Sequence, residues 1–255
     1  KTDLISNLLY DGAKVNLFTR PRRFGKTLNM SMLKHFFDIE NGAENRKLFE
    51  NLKISDSKYM TEQGKYPVIF ISFKNLEEED WKNCLRKIKN LIGDLYNEFE
   101  FLRKKLNKRD LKFFDSIWME EEDVVWESAL KNLTRYLYNY YGERKVIVLI
   151  DEYDTPIIQS YQEGYYKKAI LFFKKFYGDA LKDNSYLQYG VMTGILRIAK
   201  EGIFSGLNNL KVDTIFNERY SDFFGLTEKE VTKAVRYYEL EYEMEEVKKW
   251  YDGYQ

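Results

Sequence analysis

With one cysteine, Cys84, one histidine, His35, and three prolines in 255 residues, the chain lacks the material for several chemistries. A lone thiol makes no internal disulfide, and with a single imidazole it builds no Cys/His zinc cluster. A reducing, cytoplasmic setting is expected on those grounds. No apolar run approaches the roughly 18 residues of a membrane span, and the first residues carry no signal-peptide hydrophobic stretch, so no membrane is expected among the partners. Charge of one sign is also lacking: 41 Lys and Arg balance 41 Asp and Glu. No whole-molecule field draws the chain to nucleic acid, and any such contact would have to be local.

Short apolar runs separated by helical patterns fill the rest. Lys14 to Thr19, Pro67 to Phe73, Val146 to Ile150, Tyr186 to Met192 and Lys211 to Phe216 read as strands. The third is a continuous β-branched and leucine run, the pattern of a central strand buried on both faces of a parallel sheet. Alternation with helices predicts a doubly wound α/β fold. Helices are expected over Leu28 to Phe37, from the acidic patch Glu77–Asp80 to about Leu102, and from about Tyr165 to Leu181. The stretch from about 77 to 141 reads as a helical insert with a break near Met119 to Asp123. The paired aromatics of the Tyr165–Leu181 helix are expected to pack rather than to stack bases. Thr227 and Glu230 have capping-box spacing, and residues 223–255 read as the start of a small helical subdomain following a core over 1–222.

Between the first strand and the first of these helices lies Arg20-Pro21-Arg22-Arg23-Phe24-Gly25-Lys26-Thr27. A triphosphate is held by backbone N–H groups of such a turn at a helix N-terminus, where unpaired donors and partial positive charge coincide. Gly25 would let the backbone approach the phosphates, Lys26 would neutralise their oxygens, and the Thr27 hydroxyl would coordinate Mg²⁺. Arg22, Arg23, Phe24 and Leu28 complete the expected nucleotide-binding set. The general motif has glycine where Arg20 stands, so Pro21 is expected to shape the loop entry, with four cations available to phosphate oxygens. Asp151-Glu152 ends the most buried-looking strand, which suits Asp151 to the metal and Glu152 to polarising an attacking water. Asp154 reads either as a helix cap or as support for the residues around the metal.

These blocks, with Thr193-Gly194, Ile203 to Leu210, Phe224 to Val231 and Trp250 to Tyr254, resemble the predicted AAA-ATPase-like family found mainly in bacteria. The resemblance covers nearly the whole chain. It implies the additional-strand class of P-loop NTPases, with strand order 5-1-4-3-2 and Glu152 as catalytic glutamate beside the Walker B aspartate. It also implies a polar γ-phosphate sensor at Thr193 and places Lys1, Thr2 and Asp3 beside the adenine. Arg197 and Lys200, which follow closely, could reach a phosphate or an adjoining subunit, with Arg197 as the candidate catalytic arginine, although the family often has lysine at that position. Members are often fused to a C-terminal nuclease-like domain, and the chain reads as cut from a longer protein.

The expected function is Mg-dependent ATP binding and hydrolysis driving a conformational switch in an attached domain. A nucleotide-gated signalling module with negligible hydrolysis uses the same residues. A DNA-linked ATPase serving a fused nuclease is the third reading, motivated by Arg103-Lys104-Lys105 and Lys108-Arg109, which as a default are solvated helix faces. Gly206 to Asn209 reads as a turn or a switch loop. A ring would need an arginine such as Arg197 or Arg219 offered across an interface, and the sequence leaves oligomeric state open.

Overall fold

The computed structural model describes residues 1–119, 125–198, 203–204, 210–241 and 244–251. In chain order these form α1 (Asp3–Asp11), β1 (Val15–Thr19), α2 (Lys26–Phe37), α3 (Gly42–Asn45), β2 (Val68–Ser72), α4 (Trp81–Glu98), α5 (Lys108–Trp118) and α6 (Ala129–Tyr140). There follow β3 (Val146–Asp151), α7 (Thr155–Gln162), α8 (Tyr166–Leu181), β4 (Leu187–Gly194), β5 (Leu210–Asp213), α9 (Glu228–Tyr237) and α10 (Met244–Tyr251). Glu120 to Asp123 of the expected break, Lys200, Gly206 to Asn209 and Asp252 to Tyr254 lie outside the described residues.

All five strands pair in parallel, in the order β2-β3-β4-β1-β5. Read from the other edge, this is the expected 5-1-4-3-2. The buried β3 run divides its side chains by period two: Val146, Val148 and Ile150 face a core shared with α4, α6 and α8, whereas Ile147 and Leu149 face one shared with α1 and α2. Each such buried aliphatic contributes about 1.5–3 kcal/mol, so both helical layers are held to the sheet through this strand. The aromatic residues of α8 pack as expected, with Phe173, Phe176 and Tyr177 fully buried and Phe73 set edge-on against all three.

Most expected boundaries shift by a residue or two, as at the end of β4, which runs to Gly194, and the largest shifts are at α4 and β5. α4 stops at Glu98 instead of about Leu102, and residues Glu100–Lys105 continue as a 3-10 helix. The tighter winding carries Phe101 onto Tyr140, with ring centroids 4.9 Å apart, and buries Leu102. β5 ends at Asp213 rather than Phe216 because Asn217 takes over the backbone. Its Oδ1 accepts from Thr214 N at 2.8 Å and from Thr214 Oγ1 at 3.0 Å, closing a turn that leaves Phe216 exposed. The Thr227–Glu230 capping box forms at the start of α9 with both reciprocal bonds.

The basic clusters of the insert are partly absorbed by packing: Arg103 pairs with Asp115 at 3.1 Å and lies over Trp118, and Lys105 lies over Tyr140. Arg135 of α6 grips Asp110 of α5 through two bonds of 2.9 and 2.7 Å. Those bonds lower the Asp110 pKa, against the opposing effect of burial. Arg135→Ala is therefore expected to destabilise the fold by about 1–3 kcal/mol near neutral pH. A depressed carboxyl pKa contributes stability above its unfolded value and loses it as pH falls through the folded one. The difference between variant and wild type in urea melts should accordingly shrink in acid.

Candidate functional site

β1 delivers the chain to the C-terminal edge of the sheet, where the Arg20–Gly25 loop turns it into α2. Arg23 at φ 69° and Gly25 at φ 72° both adopt left-handed backbone. For Gly25 this conformation is unstrained, and as the N-cap of the helix that begins at the next residue it has no side chain with which to cap it. The first-turn N–H groups of α2 are thus left to other acceptors, the arrangement that binds anions at helix N-termini.

Lys26 folds over this loop. Its ammonium donates to Arg20 O at 3.0 Å and Pro21 O at 2.9 Å. Burial lowers the pKa of the ammonium, while the charges of Glu152, Asp154 and Asp151 pull it back up. One residue on, Thr27 Oγ1 donates to Asp151 Oδ2 at 2.7 Å, and Thr193 Oγ1 donates to Asp151 Oδ1. A fully buried carboxylate at the end of β3 is thereby bridged to the start of α2 and the end of β4. The structure brings together Lys26, Thr27, Asp151 and Thr193.

Glu152 is partly exposed and left-handed at φ 52°, with Thr155 Oγ1 at 3.3 Å from its Oε2. Such backbone is uncommon in a residue with a Cβ and tends to occur at functional positions. Arg22, Arg23, Thr27 and Leu28 are exposed around the loop, and Arg197 is exposed just beyond β4. Phe24 is half-buried against the core that α2 shares, and its carbonyl accepts from Gly225 N at 2.9 Å. The three N-terminal residues have local partners: Lys1 pairs with Glu230, Thr2 Oγ1 accepts from Ile54 N, and Asp3 pairs with Lys53.

Arg20 corrects the expectation of four cations turned toward phosphate. It is 2% exposed, and its guanidinium donates to Thr19 O, to Asp213 O and, at 2.6 Å, to Asp213 Oδ1, lying 4.8 Å from the Phe224 ring centre. The side chain ties the end of β1 to the end of β5, and its own N–H reaches Gly194 O at 3.0 Å. The arginine in the glycine position is a strut beneath the loop. Asp213 carried no local signal in the sequence, because only the β1–β5 pairing brings it there. Asn29, whose side chain donates to Phe223 O at 2.9 Å, was missed for the same reason.

A parallel sheet of this order, with a glycine-led α2 and an aspartate at the end of β3, one strand in from the sheet edge, defines an α/β protein of the P-loop NTPase type. The family model described as a predicted AAA-ATPase matches residues 1–204, and the chain belongs to that family. An uncharacterised protein in the vnfD 5′ region of Azotobacter chroococcum mcd 1 is 30% identical over 256 residues, covering 100% of this chain and 44% of that protein. The chain thus spans less than half the length of this curated relative. Family membership points to nucleotide binding, with ATP as the nucleotide. Among the described residues, no helix is long and apolar enough to cross a membrane.

Proposed function

We propose that the chain binds ATP with Mg²⁺ at the junction of β1, α2, β3 and β4, and hydrolyses it. The observation that supports this most directly is the bridge of Thr27 and Thr193 hydroxyls to the two oxygens of Asp151 beside the Lys26 ammonium. Among the described residues, no three His, Cys, Asp or Glu side chains converge as a metal cluster. One carboxylate with a neighbouring hydroxyl suits Mg²⁺, which keeps most of its water and takes its remaining ligands from phosphate. Asp151 and Thr27 are the residues that would hold it. Bound there, the ion would draw charge from the phosphate oxygens as the terminal phosphoryl group leaves.

The protein's own contributions are positional and electrostatic. The α2 amides and Lys26 bind phosphate oxygens, Arg22 and Arg23 raise the local positive potential, and Thr193 senses the terminal phosphate while orienting Asp151. Glu152 accepts a proton from the attacking water, and Arg197 offers a further positive charge from the loop after β4. In a longer protein, the output of hydrolysis would be movement of an attached domain, including a nuclease-like one where present.

Calorimetry with MgATP and a phosphate-release assay test this together. Lys26→Ala is expected to weaken MgATP binding by about 100-fold, roughly 2.8 kcal/mol. No heat with the wild type would sink the reading. Heat without turnover would assign the chain to the nucleotide-gated, non-hydrolytic class. Turnover stimulated by duplex DNA at low salt, where phosphate contacts are strongest, would favour a DNA-linked ATPase.

A further inference from the structure

Asp154 is fully buried, yet the chemistry assigned above makes no use of it. Its Oδ2 accepts two backbone N–H groups, from Ile195 at 2.8 Å and Leu196 at 2.7 Å. Among the described residues its Oδ1 has no hydrogen-bond partner, and it faces Gly194, where an added Cβ would stand 2.6 Å away from it. A buried carboxylate with one empty oxygen is costly, and burial raises the Asp154 pKa against the two amide bonds. Such a group persists where its geometry is needed.

Tyr153 reinforces the same segment. Its hydroxyl donates to Leu196 O at 2.6 Å and accepts from Ile198 N at 3.2 Å, while Tyr153 N bonds to Thr193 O at 3.0 Å. The Tyr153 ring is itself fixed from behind, buried and set 5.4 Å from the Phe204 ring. Two consecutive residues after Glu152 therefore clamp residues 195–198, the backbone that leaves Thr193 and presents Arg197. The amides of Ile195, Leu196 and Ile198 and the carbonyl of Leu196 are all satisfied by these two side chains.

We propose that Asp154 is a positioning residue that holds the 195–198 loop, and through it Arg197, against the nucleotide site, with Tyr153 as the second anchor. This rests on the ATP reading. Asparagine at 154 keeps an acceptor for both amides, alanine does not, and Arg197→Ala removes the group being positioned.

Asp154→Ala should lower kcat about tenfold with KM within about threefold, Asp154→Asn should stay within about threefold of wild type, and the Asp154→Ala/Arg197→Ala pair should be no slower than the worse single variant. Hydrogen exchange should show the Ile195 and Leu196 amides losing protection in Asp154→Ala and keeping it in Asp154→Asn and Arg197→Ala. If Asp154→Ala does not fold, Tyr153→Phe carries the test, with a smaller kcat loss that Arg197→Ala again absorbs. Unchanged kcat, a loss confined to KM, or a double variant slowed by the product of the singles would overturn the proposal. No MgATP heat in the wild type would instead remove the ATP reading, and this role with it. Heat and turnover in the wild type beside an unaffected Asp154→Ala would remove this role alone.

Discussion

Arg20→Ala is expected to unfold about 3–5 kcal/mol more easily than the wild type, because it strands the Asp213 carboxylate inside the protein. That carboxylate is 4% exposed as a residue and has the guanidinium as its partner at 2.6 Å. The loss should appear in urea melts as a lower midpoint with an unchanged slope. Arg20→Gly, which restores the general phosphate-loop residue, should be no better, since glycine supplies neither the charge nor the bonds to Thr19 O and Asp213 O. Replacing both partners with apolar residues, as in Arg20→Met with Asp213→Leu, should recover much of the stability, because no buried charge is then left alone. If Arg20→Ala melted like the wild type, the strut would have no energetic role.

Glu152→Gln should slow phosphate release by about 100- to 10,000-fold, the range a positioned proton acceptor contributes. MgATP affinity should change little, because the amide keeps an oxygen for Thr155 and the residues proposed to grip the phosphates are untouched. The side chain projects from a left-handed residue directly after the buried Asp151, so its placement follows from the strand end and not from a flexible loop. Single-turnover measurements with the variant and wild type at matched nucleotide saturation separate the chemical step from binding. Equal rates would take Glu152 out of the reaction.

Much of this arrangement was legible in the sequence because its signals are local. The unbroken Val146–Ile150 run announced a strand buried on both faces, although β4 and not β3 takes the central place, and the Gly25-Lys26-Thr27 turn announced a strand-to-helix loop. Thr227 and Glu230 declared a helix start through spacing alone. What escaped depends on contacts between distant segments. Arg20 looked like another loop cation because Asp213 lies 193 residues away. Asp154 stayed open between a helix cap and support around the metal because the amides it accepts lie just beyond β4, 41 and 42 residues on. The β5 boundary failed for a different reason: an apolar stretch favoured extension through Phe216, but the Asn217 side chain outcompeted the ladder there.

The carbonyls of Arg20 and Pro21 already engage the Lys26 ammonium. On the proposed reading, an incoming anion would trade places with these neutral oxygens instead of stripping water from a bare cation. Only the charged partner feels the ionic atmosphere strongly, so added salt should erode the exchange from one side. On that reading the loop carries a built-in competitor, and the ionic strength of the medium would set how readily it yields.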